Sequence, residues 1–222
     1  MVHAYAQIAR DHSRPGGHTW LEQMLAAPPT AGRLLAAYAG ARRRLGDAPI
    51  ELSRAHEQAL DSAGLELPRG WTCDEVGRAA LLCTALAVLA PSAHAELVDA
   101  LYAKGDTAER RALLRALSLL PGPERFLATA IEACRTNVVP VFEAIACENA
   151  YPERHFTDLA YNQLVLKSLF LEVPLARVRG LATRAGPELA RMALDYAAER
   201  RAAGRSIPAD IARIPGCGGE RS

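Results

Sequence analysis

The chain has 222 residues, of which 26 are Lys or Arg and 25 are Asp or Glu. This length suits one substantial core or one elongated array of repeats, and it gives only a weak case for two domains. The nearly neutral charge argues against nucleic acid as a partner, because binding to a phosphate backbone needs a basic surface. Ala and Leu dominate the hydrophobic fraction of 50%, so we expect an aliphatic core.

The cysteines and the apolar runs indicate the cellular compartment in which the protein is expected. Five cysteines form no C-x-x-C pair, and free thiols of this kind are typical of a reduced, cytoplasmic protein. The first residues lack a basic region followed by an apolar run, so no signal peptide is expected. Every apolar run ends well short of about 20 residues, so no transmembrane segment is expected.

Helical spacing of apolar residues runs through the whole chain, and alternating strand patterns are absent. The first predicted helix runs from His18 to the break at Pro28 and Pro29. Two more follow at 31–46 and 51–64, each ending at a glycine. Ser/Thr/Asp residues and Pro/Gly breaks thus divide the N-terminal part into short helices.

The next predicted helix begins with a capping box, in which Glu75 follows Thr72 by three positions, and it ends before Pro91. Ser92 is expected to cap the helix after it, and Asp106 the one after that. The remaining predicted helices lie at 123–135, 138–147, 157–171, 174–182 and 187–203.

Helix pairs that begin near 107, 138 and 174 recur at a spacing of about 30–36 residues, which is typical of HEAT-like arrays. We therefore predict an all-α fold of HEAT-like stacked helix pairs, an α-solenoid forming a single domain; a compact irregular helical domain is the alternative. Residues 1–70 are predicted to be helices that pack on the array, 71–213 the helical-repeat core, and 214–222 a disordered tail.

One segment stands out from this Ala/Leu/Arg background, residues 135–170, which read RTNVVPVFEAIACENAYPERHFTDLAYNQLVLKSLF. Asn162 and Lys167 lie on largely apolar faces of the predicted helix 157–171. A buried amide or charge without a partner is costly, so each is expected to have one. The nearest candidate partners are Arg135, Asn137, Glu143 and Glu148.

The residues before this helix have predicted roles of their own. Asn137 is expected to cap the helix that carries Pro140 in its first turn. Glu143 is expected to pair with Lys167 or Arg135. The stretch ENAYPERHF is predicted to be a loop because a residue before proline disfavours the helical conformation, with Tyr151 and His155 at its rim.

Two interpretations of this segment remain open. Its polar groups form a structural network that fixes how helix pairs stack, or they line a pocket for a small organic molecule. The candidate ligand-binding residues are Arg135, Asn137, Glu143, Glu148, Asn149, Tyr151, His155, Asn162 and Lys167. No Gly-rich phosphate loop, H-E-x-x-H or G-x-S-x-G occurs, and no catalytic residue, metal or cofactor is predicted.

The segment resembles the signature of the EboA family of metabolite traffic proteins. The shared pattern is R-T-N, P-V-F-E-A-I-A, an acidic/Asn stretch with Y-P, then H-F and N-Q-L-V-L-K-x-L-F. Ala150 departs from it, since the family more often has Pro there. The helices from 107 to 205 are similar in general shape, while the first 70 residues carry little that matches.

The resemblance implies an accessory role in moving secondary-metabolite precursors from the cytoplasm towards the periplasm or cell surface. It also implies two partners, a prenyltransferase-like membrane protein and a metal-hydrolase-like protein, through which the chain could associate with a membrane. We therefore expect a protein that binds a small metabolite or docks a membrane partner.

The alternatives are a metal-independent enzyme and a purely protein-binding adaptor. The enzyme would use Glu143 or His155 as a general base, and Lys167 or Arg135 to hold an anion.

Overall fold

A computed structural model describes residues 2–26, 30–68 and 70–218. This part of the chain is all-helical and contains no strand, which confirms the predicted class. The α-helices within it are α1 Val2–His12, α2 Gly17–Ala26, α3 Ala31–Leu45, α4 Arg54–Ser62, α5 Cys73–Val88, α6 His94–Lys104, α7 Thr107–Ala116, α8 Leu127–Ala133, α9 Val139–Ala146, α10 Ala150–His155, α11 Asp158–Phe170, α12 Leu181–Arg184 and α13 Pro187–Ala202. Short 3₁₀ turns lie at Pro91–Ala93, Leu117–Leu119, Pro123–Phe126, Leu175–Arg177 and Ala209–Arg213.

The chain divides into two compact units, Met1–Thr129 (unit 1) and Ala130–Ser222 (unit 2). The predicted division at 70/71 and the predicted packing of 1–70 on an array remain predictions. Residues 219–222 of the predicted tail, and the predicted helix stop at Pro28 and Pro29, lie outside the described residues.

Unit 1 is organised around α5, which contacts α1, α2, α3 and α7. Thirteen of its 16 residues are buried, as expected for a helix that is enclosed on all sides. The predicted capping box starts it: the backbone N–H of Thr72 donates to the carboxylate of Glu75 at 3.1 Å. The thiol of Cys83 is buried in this helix.

Charged residues in the first two turns of α5 form a closed, buried network. Arg78, whose side chain is 1% exposed, pairs with Asp74 and donates from Nε to the carbonyl of Tyr38 at 2.9 Å. Glu75 accepts from the guanidinium of Arg115 at 2.7 Å. Each buried charge therefore has an opposite charge beside it, which offsets much of its desolvation cost.

Unit 2 contains the signature segment. α11 contacts α13 and the turn Leu175–Arg177, and α9 contacts α10. Thr157 caps α11 by accepting the N–H of Ala160 at 3.3 Å. This short, well-capped helix presents one side to the interior of the unit and another to a pocket described below.

Several predicted elements differ in the structure. α1 was not predicted, although the buried residues Ala4, Tyr5, Ile8 and Ala9 recur at helical spacing. The predicted cap Ser92 is wrong, because a 3₁₀ turn precedes α6 and its N-cap Ala93 makes no side-chain bond.

The helix predicted at 174–182 is also wrong. A 3₁₀ turn lies at Leu175–Arg177, and α12 begins only after Gly180, whose φ of 79° is in the left-handed region. This glycine separates the two short elements because a left-handed residue cannot continue an α-helix.

Across the ranges 2–26, 30–68 and 70–218, we find no helix that combines the length and the apolar character needed to cross a membrane.

Candidate functional site

A pocket of about 300 Å³ lies in unit 2 between the C-terminal end of α8 and α11. Its volume is at the lower end of the range for small-molecule sites. The residues that line it are Ile131, Cys134, Arg135, Phe156, Ala160, Gln163 and Lys167. Two of the nine predicted candidates, Arg135 and Lys167, therefore face the same cavity.

Helical spacing explains why α11 contributes to this pocket. Ala160, Gln163 and Lys167 recur at intervals of three and four residues, which places them on one side of the helix. The small side chain of Ala160 leaves room between the longer ones, and buried Phe156 closes the end where α11 begins. α8 supplies the opposite wall through Ile131 and the residues just after its last turn.

Lys167 is the more enclosed of the two pocket cations. Its Nζ lies 5.7 Å from the ring centroid of Phe142, close enough for a cation–π interaction. Burial lowers the pKa of Lys167, and the neighbouring Cys134 offsets part of that effect. No carboxylate in the described part of the chain forms an ion pair with it, which contradicts the expected pairing with Glu143.

Arg135 lies at the rim of the pocket, and Cys134 lies in its wall. Arg135 is exposed and pairs with Glu132, three residues earlier, at 2.8 Å. The thiol of Cys134 donates to the carbonyl of Ala130 at 3.3 Å, and burial raises its pKa to about 12. Cys134 therefore stays protonated at neutral pH and acts as a wall rather than as a nucleophile.

Glu143 and Glu148 share a partner, Arg177, which the prediction had not considered. Arg177 donates from Nη1 to Glu143 at 2.5 Å, and from Nε and Nη2 to the two carboxylate oxygens of Glu148 at 2.9 and 3.0 Å. The hydrogen bonds to Glu148 raise the pKa of Arg177, and that to Glu143 adds to the effect. This clamp joins α9 to the turn Leu175–Arg177, so the predicted pairing of Glu143 with Lys167 or Arg135 is wrong.

The stretch predicted as a loop contains α10. Asn149 starts this helix: its Oδ1 accepts the N–H of Tyr151, and its Nδ2 donates to the carbonyl of Ala144, both at 2.9 Å. Pro152 lies in the first turn, where a missing N–H is harmless because those groups have no acceptor within the helix. Asn149 is thus buried in a capping role.

Tyr151 is fully buried rather than at a rim. Its ring centroid lies 4.7 Å from that of His155, which is half-buried, and 6.3 Å from that of Phe156. The three rings form an aromatic cluster under α10. Tyr151 and His155 therefore contribute to packing, and of the three rings only Phe156 reaches the pocket.

The last two candidates lie away from the pocket. Asn137 is exposed, and the predicted cap is wrong: Val138 is the N-cap of α9, and its N–H donates to the hydroxyl of Thr136 at 3.2 Å. Asn162 is 5% exposed, and its side chain makes no hydrogen bond to any residue that the structure describes. Asn162 therefore has none of the expected partners.

Arg184 is a second organising residue that lies outside the signature. It donates to the carbonyls of Pro152, Glu153 and Phe156 and to the carboxylate of Asp158, at 2.7–3.1 Å. These contacts satisfy the C-terminal carbonyls of α10. No sequence signal points to Arg177 or Arg184, because both lie among ordinary helix-end arginines.

A second pocket in unit 2, of about 260 Å³, lies beside the turn Ala209–Arg213. Two of its polar side chains already serve the fold. Arg200 donates to the carbonyl of Ser206 at 2.6 Å, and Asp210 accepts the N–H of Leu175 at 2.6 Å. Among the described residues no group of three His, Cys, Asp or Glu side chains could hold a metal ion.

Fold and site together define an all-α protein with a small, cation-rimmed pocket in its C-terminal unit. The chain belongs to the EboA family: the family model described as "Metabolite traffic protein EboA" matches residues 6–215. The match extends far beyond the signature and includes most of unit 1. Neither a curated protein nor a solved structure matches the chain significantly.

Proposed function

We propose that this protein is a cytoplasmic accessory protein of metabolite traffic that binds a small organic metabolite, or precursor, for export. The pocket between α8 and α11 is the proposed binding site. The observation that carries the proposal is the meeting of Arg135 and Lys167, from two ends of the signature segment, at one cavity of about 300 Å³. Family membership supports the coarser role in metabolite traffic.

The remaining signature polar groups support this site from outside. The clamp of Arg177 holds α9, and Asn149 and Arg184 hold the two ends of α10. In this proposal Glu143, Glu148, Asn149, Tyr151 and His155 are positioning residues, and the ligand contacts are made by the pocket lining.

A variant in which a larger side chain fills the pocket tests the proposal. The wild-type protein and Ala160→Leu are incubated with metabolite extract of the cells that encode the chain, separated from free small molecules, and analysed by mass spectrometry. We expect the wild type to retain a small molecule that Ala160→Leu does not, because the larger side chain fills the cavity. Ala198→Leu, at an exposed position of α13, is the matched control and should retain the molecule.

The outcomes separate the alternatives. Retention by Ala160→Leu would place the site elsewhere, and retention by none of the three proteins would contradict metabolite binding. Chemical conversion of the retained molecule would favour the metal-independent enzyme instead.

A second candidate function is docking of a partner, and α11 also carries the observation that favours it. Leu159 and Phe170 are 62% and 60% exposed. They lie eleven residues apart, and therefore on one side of the helix. The proposed partners are the prenyltransferase-like membrane protein and the metal-hydrolase-like protein. If docking is the function, the double variant Leu159→Ser/Phe170→Ser should lose co-purification with one of them, and Ala160→Leu should keep it.

We also keep the HEAT-like stacking of helix pairs in 71–213 as a proposal. The contact between the consecutive helices α6 and α7 supports stacking of neighbouring helices in this range, outside the predicted pairs that begin near 107, 138 and 174. A radius of gyration well above about 17 Å, the value for a compact chain of this length, is the expected result of small-angle scattering. A value close to it would favour a compact irregular domain.

A further inference from the structure

The pocket between α8 and α11 has an unbalanced charge. Its lining contains two cationic side chains, Arg135 and Lys167, and no Asp or Glu. Because a cation held in a partly apolar site favours an anion beside it, this lining selects for negative charge in whatever enters.

Lys167 is available to such an anion. Within the ranges the structure describes, no acidic side chain pairs with it, and its Nζ lies 5.7 Å from the ring centroid of Phe142. Arg135 is also available, because its pair with Glu132 involves side chains that are 74% and 59% exposed. Exposed pairs of this kind contribute little to stability and exchange readily.

The rest of the lining is apolar or neutral. Ile131, Phe156 and Ala160 provide hydrocarbon surface. The thiol of Cys134 is protonated at neutral pH because burial raises its pKa to about 12. Gln163, which is exposed at the edge, offers both a hydrogen-bond donor and an acceptor to a neutral polar group.

We infer that the pocket takes an organic anion with an apolar body. The carboxylate or phosphate of the ligand lies between Lys167 and Arg135, and its hydrocarbon or ring portion lies against Ile131, Phe156 and Ala160. This inference rests on the proposed metabolite-binding function and adds the chemical class of the ligand.

A matched pair of probes tests the charge directly. 4-Phenylbutyrate and its neutral analogue 4-phenylbutanamide have almost the same size and shape, and both fit a cavity of about 300 Å³. Isothermal titration of the full chain should show the anion binding at least about tenfold tighter than the amide, and this preference should shrink as salt is added. This comparison uses the unmodified protein and therefore does not depend on how any variant folds.

Variants of Lys167 and Arg135 show which side chain produces the preference for the anionic probe. Lys167→Met keeps the length of the side chain and should reduce affinity for 4-phenylbutyrate about tenfold, while changing that for the amide less than about twofold. Lys167→Arg should keep most of the preference, and Arg135→Gln should reduce it by a smaller factor because Arg135 is more exposed. Arg191→Gln, a surface arginine of α13, is the control and should change neither affinity.

The possible failures are distinct. If the amide binds as tightly as the anion, or if Lys167→Met keeps the full preference, the inferred ligand class is wrong and the proposal of a metabolite pocket stands. If neither probe binds at millimolar concentration, the inference is also overturned. Retention of the extract molecule by Ala160→Leu, or by none of the three proteins, would contradict the proposed function and can be told apart from these results.

Discussion

Charged residues are enclosed in both units of this protein, but the two units differ in whether an opposite charge lies beside each of them. At the start of α5, Asp74, Arg78, Glu75 and Arg115 are closed into pairs, and the side chains of Arg78 and Asp74 are 1% and 4% exposed. In the pocket of unit 2, Lys167 is partly buried, and no carboxylate among the residues that the structure describes pairs with it.

The comparison assigns different roles to the two clusters. In a closed network every charged group is paired, so the network contributes to the fold and leaves no charge for a ligand to bind. A cation without a carboxylate partner destabilises its surroundings slightly and attracts a counter-ion.

The largest expected effect tests the closed network. Arg78→Met should lower the free energy of unfolding by about 3–5 kcal/mol, because it leaves Asp74 buried without its partner. Urea unfolding followed by circular dichroism measures this loss. Arg191→Met, whose partners are all on the surface, should unfold like the wild type. A small loss for Arg78→Met would remove the distinction between the two clusters.

A smaller loss is expected where unit 2 also closes its polar groups. Arg184→Met removes the donor for three carbonyls at the end of α10. The expected loss is about 2–3 kcal/mol, in line with charged hydrogen bonds that are partly shielded from water. Faster hydrogen exchange confined to residues 150–158 would show that the effect is local. Unchanged exchange there would contradict the capping role.

Glu143→Gln should have a small effect on both stability and binding. Glu143 is one third exposed, and Arg177 keeps both of its bonds to Glu148. We expect a change of less than about 1 kcal/mol in thermal or urea unfolding and unaltered affinity for 4-phenylbutyrate. A marked loss of affinity would indicate that Glu143 contacts the ligand, and it would contradict the assignment of separate roles to the Arg177 clamp and the pocket.

The smallest effect concerns the titration of Lys167. Burial lowers its pKa below the ordinary 10.5, so between these two values the unfolded chain binds more protons than the folded one. The contribution of Lys167 to the free energy of unfolding therefore rises with pH through that window. Compared with Lys167→Met, the wild type should gain stability as the pH rises towards 10.5, and other titrating groups cancel in the difference. A constant difference would show that Lys167 is fully solvated.

Much of the local structure was predictable because its causes lie within a few residues. The capping box of Thr72 and Glu75 depends on a spacing of three, and α11 was predicted from its apolar periodicity and the preceding Thr157. α1 was missed although its buried residues recur at helical spacing. α10 was missed because Pro152 suggested a break, whereas in the first turn of a helix proline removes no hydrogen bond.

The pocket was predictable only in part. Arg135 and Lys167 could be selected because charges among apolar residues are unusual, but the same argument selected Asn162, which lies elsewhere. The chemical type of Glu143's partner was predicted correctly, and its identity was not. That partner, Arg177, lies 34 residues further along the chain, beyond the signature and without a feature that distinguishes it from other arginines.

By itself the amino-acid sequence determined the helical class, most helix starts and the family signature, because periodicity, capping and residue type act over one or two turns. Only the tertiary structure decided which polar groups are closed into pairs and which face a cavity. That choice depends on side chains from distant segments meeting at hydrogen-bond distance, and a local pattern indicates the face of a helix without specifying what packs against it.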